Sequence, residues 1–265
     1  MAKYLMENDQ EIFRLELKTD LEAVRQQAEW GGLRAGMRAA DIGCGSGKTT
    51  SILKQLVATE GEVVGVDSSE KRIEHAQSIY GEPGLTFAVR DVLDDLGDLG
   101  TFDFIWVRFL LEYYKDNSSV IVKNLSHILK PGGVLCLIDL DHNSLSHYGL
   151  SPRLEKTLHA AKILLEERTN FDFNAGRKLY SHMYDLGFSQ IQVKVDSHHL
   201  IYGELRNNDA YNWLKKIEVA SRHVKMEFME YEGGYEEFVE EFNAYFTSPR
   251  RFAYSPLIMC KGRKP

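Results

Sequence analysis

Between residues 39 and 139 the chain repeats one pattern. A short apolar or β-branched run is followed by a polar turn, then by apolar residues at helical spacing. Ala39-Ala40-Asp41-Ile42, Val63 to Asp67, Leu85 to Val89, Phe102 to Val107 and Val134 to Asp139 read as strands. Between them lie a helical stretch carrying Ile52, Leu53, Leu56 and Val57, the stretch SSEKRIEHAQSIY, and Val120 to Leu129, which Lys130-Pro131-Gly132-Gly133 should stop. Ser68 or Ser69 suits the N-cap of SSEKRIEHAQSIY, with Glu70 in its first turn. Such alternation demands right-handed crossovers and a mostly parallel sheet covered on both faces.

The flanks differ. Ile12, Leu15, Val24 and Ala28 predict one or two helices before Gly31-Gly32. After Asp139, SPRLEKTLHAAKILLEER and Arg177 to Leu186 read as helices, Ile191 to Val195 as a strand and Ser255 to Cys260 as the last strand. Residues 207 to 246 interrupt the rhythm with Trp213, Leu214 and Ile217 at helical spacing and an apolar stripe of Phe238, Val239, Phe242 and Tyr245. The expected architecture is α/β: a Rossmann-like, doubly wound, mostly parallel seven-stranded sheet with a helical lid inserted before the last strand. Its parts are an N-terminal helical cap over 1–36, a core over 37–202 and 252–265, and a helical insertion over 203–251 that forms the substrate lid. That lid would sit over the carboxyl ends of the strands, where open α/β sheets bind ligands.

The loop after the first strand, DIGCGSGKTT, carries the chemistry, and its ending imitates a phosphate-binding P-loop. That motif, G-x-x-x-x-G-K-[ST], would need glycine at Ile42, and starting from Gly43 leaves the loop one residue short. Loop length sets how backbone amides curl around a phosphate, so the deficit matters. A dinucleotide fingerprint, G-x-G-x-x-G, would need its third glycine at Lys48. What remains is Asp41 closing a strand, then Gly43, Gly45 and Gly47 at alternate positions, with Asp67 closing the second strand and Arg90-Asp91-Val92 following the third.

In that order these segments resemble a class I S-adenosylmethionine-dependent methyltransferase from Asp41 to Asp139. The resemblance implies S-adenosylmethionine as cofactor. It sets the methionine moiety over Gly43, Gly45 and Gly47, with Asp41 near its ammonium group. It gives Asp67 the two ribose hydroxyls, a carboxylate having an oxygen for each. It makes Asp91 the acceptor for the adenine amine and Val92 a backbone donor, with Ser68 at the ring edge. Arg108 would turn its backbone carbonyl to the ammonium, with Phe109 packed nearby. By the same analogy KYLMENDQEIFRLE would fold across the cofactor, with Tyr4 and Arg14 as contacts.

The acceptor is less legible. Enzymes of this type that methylate adenine, cytosine-amine or glutamine nitrogens carry an Asn/Asp-Pro-Pro-Tyr/Phe run after strand four, whereas this chain has VRFLLEYY. That form resembles the small-molecule enzymes of ubiquinone and menaquinone biosynthesis, which methylate oxygen, nitrogen or carbon. A methylated protein or peptide side chain, or a binding protein without catalysis, stays open. In DLDHNSLSHY, the groups Asp139, Asp141, His142, His147 and Tyr148 are candidates for a base or for substrate contacts at the pocket mouth, with His142 first for general base. A metal held by Asp139, Asp141 and His142 is conceivable, but no second ligand cluster supports it, so no metal is expected.

A net charge of −7, with only short basic pairs such as Lys215-Lys216, argues against a nucleic-acid partner. No run approaches the length of a membrane span, and MAKYLMENDQE lacks the apolar region of a secretory signal. The three cysteines, Cys44, Cys136 and Cys260, have no regular spacing, as expected of a reducing cytoplasm.

Overall fold

The computed structural model describes residues 11–142, 146–205, 213, 217–218 and 226–265. Five parallel strands form the core of the sheet: β1 (Arg38–Ile42), β2 (Glu62–Asp67), β3 (Leu85–Val89), β4 (Phe102–Arg108) and β5 (Leu129–Leu140). Their order is β3-β2-β1-β4-β5. The last strand, β8 (Phe252–Arg263), runs antiparallel to β5. β7 (Ser189–Tyr202) pairs with β8 on the outside, and the short β6 (Ser146–Tyr148) pairs with the first residues of β8. The expected seven strands are present with β6 added to them, a segment too short to leave a periodic signal.

The chain winds from β1 outward to β3, then crosses back to β4 beside β1. The strand order therefore reverses between β1 and β4, which opens a crevice at their carboxyl ends. Register keeps these ends level, since Ile42 faces Val66 on one side and Val107 on the other.

Alternate residues of each strand feed two cores. Ala40, Ile42, Val64, Val66, Ile105 and Val107 meet the face covered by α5 (Ser118–His127) and α7 (Leu179–Asp185). Ala39, Val63, Phe104 and Trp106 meet the face covered by α2 (Leu21–Gly31) and α3 (Lys48–Val57). Two-sided burial explains why the central strands read as continuous apolar runs. The predicted N-terminal helix is a pair, α1 (Glu11–Lys18) and α2. Asp20 divides them, its carboxylate accepting from the N–H groups of Glu22 and Ala23. Helix α4 (Glu70–Tyr80) is capped by Ser69, which accepts from the Arg72 N–H at 3.4 Å.

A third apolar cluster stands apart from the sheet. α6 (Pro152–Arg168) and α8 (Gly234–Thr247) join Leu154, Phe238, Phe242 and Phe246 to Ile201 of β7 and Ala253 of β8. The buried stripe of α8 is Phe238, Phe242 and Phe246, where the sequence suggested Val239 and Tyr245 beside Phe238 and Phe242.

Several boundaries move. Lys130-Pro131-Gly132-Gly133 does not end a helix: α5 stops at His127, and the four residues lie within β5. They form an irregularity, because Phe102 pairs with Leu129 but Phe104 with Val134. The Gly132 N–H and Gly133 carbonyl bond to Lys264 just beyond β8, so tertiary pairing uses them as strand. β7 and β8 outrun their apolar centres for the same reason, each extending along the other. The helix expected from Arg177 opens with a 3-10 turn over Ala175–Lys178 before α7.

Candidate functional site

A cavity of about 270 Å³ opens at the reversal point, near the lower limit of typical ligand pockets. The loop after β1 forms its floor, the ends of β2 and β4 its sides, and Leu15 and Thr19 of the α1 region close over it. Gly43 and Gly45 line it with φ of 78° and 57°, a left-handed backbone that favours glycine. A Cβ on Gly43 would meet Leu110 at 3.0 Å, and one on Gly45 would meet Leu15 at 3.0 Å.

Gly47 has a different task. It caps α3 with φ 87°, and a Cβ there would stand 2.7 Å from Ala76 and 3.0 Å from the Phe87 ring. It lets the helix start pack against α4 and β3, and it does not line the cavity. Asp41 also lies off the cavity wall. It is 2% exposed, and Thr50 Oγ1 donates to it at 2.7 Å. Burial lifts its pKa to about 7, with Asp67 adding repulsion while Thr50 and the Arg108 charge oppose the rise.

Asp67 is the most connected acid of the site. Its Oδ1 accepts from the Ser69 N–H at 2.9 Å and from Arg72 Nε and Nη2 at 3.1 and 2.9 Å. Its Oδ2 accepts from the Gly45 N–H at 2.9 Å. The carboxylate thus ties the glycine loop to the start of α4. Oδ1 has no capacity left for a ligand hydroxyl, whereas Oδ2 accepts one bond among the described residues.

Ser68 and Val92 line the cavity. Asp91 does not; its Oδ1 accepts from the Leu93 N–H at 3.0 Å, shaping the turn after β3. Arg108 lines it, and its side chain reaches α2, donating from Nε to Gln27 Oε1 at 3.0 Å and lying 4.1 Å over the Phe109 ring. Burial lowers its guanidinium to about 10 against the pull of Asp41, Asp20 and Asp139, so it stays charged at neutral pH. Arg14 is buried but absent from the lining, and Tyr4 lies outside the described residues.

The sequence reading missed Leu15, Thr19, Arg72, Tyr113 and Tyr114, all of which line the cavity. Burial and the nearby Asp91 and Asp67 charges push the Tyr114 phenol to about 12, so it is neutral. Tyr113 packs edge-on against Phe171 at 5.3 Å, joining the cavity to a cluster of Phe171, Phe173 and Leu165. Lys48, which makes the loop look like a P-loop, has a structural role: its Nζ donates to the Glu16 carbonyl and lies 3.9 Å from the Glu16 carboxylate. Tyr80 also donates to Glu16, at 2.9 Å. Together they clasp α1 across the loop.

The residues after β5 disperse. Asp139 is 1% exposed and accepts from the N–H groups of Glu112 and Leu140. Burial, then the neighbouring Glu112 carboxylate, raises its pKa well above the carboxylate range. Asp141 pairs with Arg177 through two bonds of 2.8 and 2.9 Å. His147 packs edge-on against Tyr245, and Tyr148 is exposed. His142 takes φ 59°, and burial and the Lys162 charge lower its pKa, leaving a neutral imidazole at neutral pH. None of these five lines the cavity. Among the described residues no three His, Cys, Asp or Glu side chains are grouped to hold a metal, and no helix is long and apolar enough to cross a membrane.

Comparison with known proteins gives three kinds of match. Residues 33–214 match a family model described as a methyltransferase domain. The chain is similar to the demethylmenaquinone methyltransferase of Staphylococcus aureus strain MRSA252, 33% identical over 108 residues, or 40% of this chain and 44% of that protein, less than half its length. With the protein of the same name from strain JH9 it is 26% identical over 193 residues, covering 66% of this chain and 80% of that one. In fold it resembles Haemonchus contortus phosphoethanolamine N-methyltransferase 2 solved with S-adenosyl-L-methionine, with a TM-score of 0.57, 17% identity and coverage of 97% of this chain and 57% of that one.

Proposed function

The chain belongs to the methyltransferase domain family, of class I and dependent on S-adenosylmethionine, and from that premise we propose that it transfers the cofactor's methyl group to a small-molecule acceptor through the cavity between β1 and β4. The observation that carries this reading is the junction of Gly45, Asp67 and Arg72. One buried carboxylate ties a glycine loop to a helix start beside a cavity that it also lines, and its Oδ2 accepts one bond among the described residues.

The residues present suit this cofactor. Side chains at positions 43 and 45 would press on Leu110 and Leu15, so glycine lets these leucines close on the loop beside the cavity. In this reading Gly43 and Gly45 would take the methionine end, Asp67 Oδ2 a ribose hydroxyl, and Ser68 and Val92 the adenine, with Asp91 holding from outside the lining the turn that presents Val92. Gly47 holds the loop's shape from behind. Asp41, with Arg108 beside it, answers the ammonium charge, and Tyr4 and Arg14 belong to the segment that covers the ligand. When bound, the cofactor supplies a methyl group already activated on a sulfonium. The protein therefore has to orient the acceptor and exclude water. Leu15 and Thr19 shield one side, while Phe109, Leu110 and Tyr113 offer an apolar wall on the other.

The relatives' name makes a quinone-type ring the first acceptor to assay. Residues 1–36 are assigned as a cap and 203–251 as the acceptor lid, supported by the buried face of α8 on α6. The three buried, unpaired thiols suit a cytoplasmic protein. His142 stays the sequence's candidate base for an acceptor that must lose a proton; it lies outside the cavity lining, so it would serve only an acceptor that extends beyond the cavity. His142→Ala is expected to lower kcat about a hundredfold or more with cofactor affinity unchanged. Equal loss of kcat and affinity would remove it from this role. Labelled methyl transfer to size-fractionated cell extract tests the acceptor class. Label in the small-molecule fraction supports the proposal, and label confined to protein overturns it.

A further inference from the structure

β7 is the outer strand of the sheet, and among the described residues only β8 pairs with it. Its register shifts between Ser189 and Gln192 and between His198 and Ile201, where Gln190 and His199 take φ of 50° and 49°. Between these irregularities runs a straight stretch, Gln192 to His198. The direction of its backbone groups follows from Pro256, which lies opposite Ser197. Pro256 has no N–H, and its carbonyl turns the other way, accepting from the Asp141 N–H at 2.9 Å. Antiparallel partners alternate between bonded and unbonded pairs. Ser197, Val195 and Val193 therefore aim their N–H and C=O groups away from β8, at the open edge. The Ser197 N–H agrees, since it is taken by its neighbour's carboxylate, Asp196 Oδ1, at 2.8 Å.

On the face toward α7 the side chains beside this edge are largely apolar. Val193 and Val195 are 47% and 63% exposed. They share a strand face with Ile191, which meets Met183 of α7 above Gly262. On α7, Leu179 and Met183 are buried and His182 reaches Ser118 of α5. Helical phase then turns Tyr180 and Tyr184 away from α5, toward the β7 edge. These two rings stack at 5.9 Å and are 47% and 65% exposed. An edge of continuous register, apolar on one face and unpaired among the described residues, is a template for strand pairing.

We propose that this edge docks a second copy of the chain, β7 pairing antiparallel with β7 about a two-fold axis at Val195. The charge pattern selects this occupant. A dyad at Val195 sets Lys194 opposite Asp196 of the copy, and Asp196 opposite the copy's Lys194, in the closely spaced unbonded pairs. Both side chains are exposed on the face away from α7, where they already form a loose pair of 3.6 Å within one chain. Val193 falls opposite Ser197 of the copy and Val195 opposite itself, for about six main-chain hydrogen bonds. Tyr180 and Tyr184 from each chain flank the paired valines. The contact is isologous and closes on itself, so it yields a dimer with one continuous sheet and no fibre. The Asp196–Ser197 contact is exchanged for these bonds on docking.

Sedimentation velocity on the whole chain tests this. At tens of micromolar the chain is expected to sediment as a dimer, and Val195→Lys as a monomer. Lys194→Asp leaves carboxylates facing carboxylates, and Asp196→Lys leaves ammonium groups facing each other. Each should weaken self-association about tenfold or more. An equal mixture of these two variants should recover the dimer, because each chain then supplies the other's missing sign. Unchanged S-adenosylmethionine affinity in every variant shows that the fold is intact. A monomeric parent chain, a dimer that survives Val195→Lys, or a mixture no tighter than its components would overturn the proposal.

Discussion

The cavity at the ends of β1, β2 and β4 and the layer of α6 and α8 beyond the sheet are built on different principles. Around the cavity, short-range geometry dominates: left-handed glycines, a capped helix start and a carboxylate that accepts four bonds from Gly45, Ser69 and Arg72. In the outer layer, contact between distant aromatic side chains dominates, with Phe238, Phe242 and Phe246 packed on Leu154, Ile201 and Ala253. The first kind of construction fixes the position of a ligand. The second is a small core that can change its contents while the sheet stays as it is. A donor common to a whole family suits the first, and an acceptor that differs among members suits the second.

This contrast can be broken. Phe242 is 1% exposed and stacks on Phe246 at 5.3 Å. Phe242→Ala should destabilise the outer layer by about 3–5 kcal/mol, read as faster hydrogen exchange in α6 and α8. S-adenosylmethionine affinity should change less than about threefold if the two regions are as independent as their construction implies. Asp67→Asn should do the reverse. The variant keeps the volume, removes the charge that balances Arg72, and is expected to weaken S-adenosylmethionine binding about a hundredfold by calorimetry, with exchange in α8 unchanged.

Asp41 sharpens the comparison through pH. Its folded pKa is raised from 3.8 to about 7, so the folded chain holds this proton more tightly than the unfolded one does. Its contribution is neutral below 3.8, becomes increasingly destabilising as pH rises from 3.8 to about 7, and levels off above that. Asp41→Asn should therefore gain on the order of 2–4 kcal/mol at pH 8 in denaturant titration, a gain that vanishes toward pH 4. The same variant should bind S-adenosylmethionine about tenfold more weakly at pH 8, and the rise in wild-type affinity from pH 6 to 8 should flatten. A smaller effect is expected at the clasp. Glu16→Ala removes the Tyr80 hydrogen bond and the 3.9 Å Lys48 contact but keeps the Lys48 bond to the main-chain carbonyl, and should weaken binding about fivefold, mainly through a faster off-rate in stopped flow.

The same contrast explains what could be read from sequence. Asp67, Ser68 and Val92 were legible because local chain order brings them to the strand ends, and Gly43 and Gly45 because a positive φ favours that residue. Arg72 was missed although it lies in the helix after Asp67. An arginine on a polar helix face looks solvated until tertiary packing buries it to 6% exposure. Leu15 and Thr19 reach the cavity through the fold of α1 over the loop, which leaves no pattern in the sequence. Gly47 was legible as a glycine but not in its role, since the crowding by Ala76 and Phe87 is a tertiary fact. β6 and the long ends of β7 and β8 stayed hidden because pairing with a neighbour, and not local apolar content, extends them.

The central claim is that the cavity holds S-adenosylmethionine, and isothermal titration of the chain with S-adenosylmethionine, ATP and NAD tests it most directly. Saturable one-to-one heat with S-adenosylmethionine, lost in Asp67→Asn, and no heat with the two nucleotides is the predicted result. Binding of ATP or NAD with none of S-adenosylmethionine would contradict it.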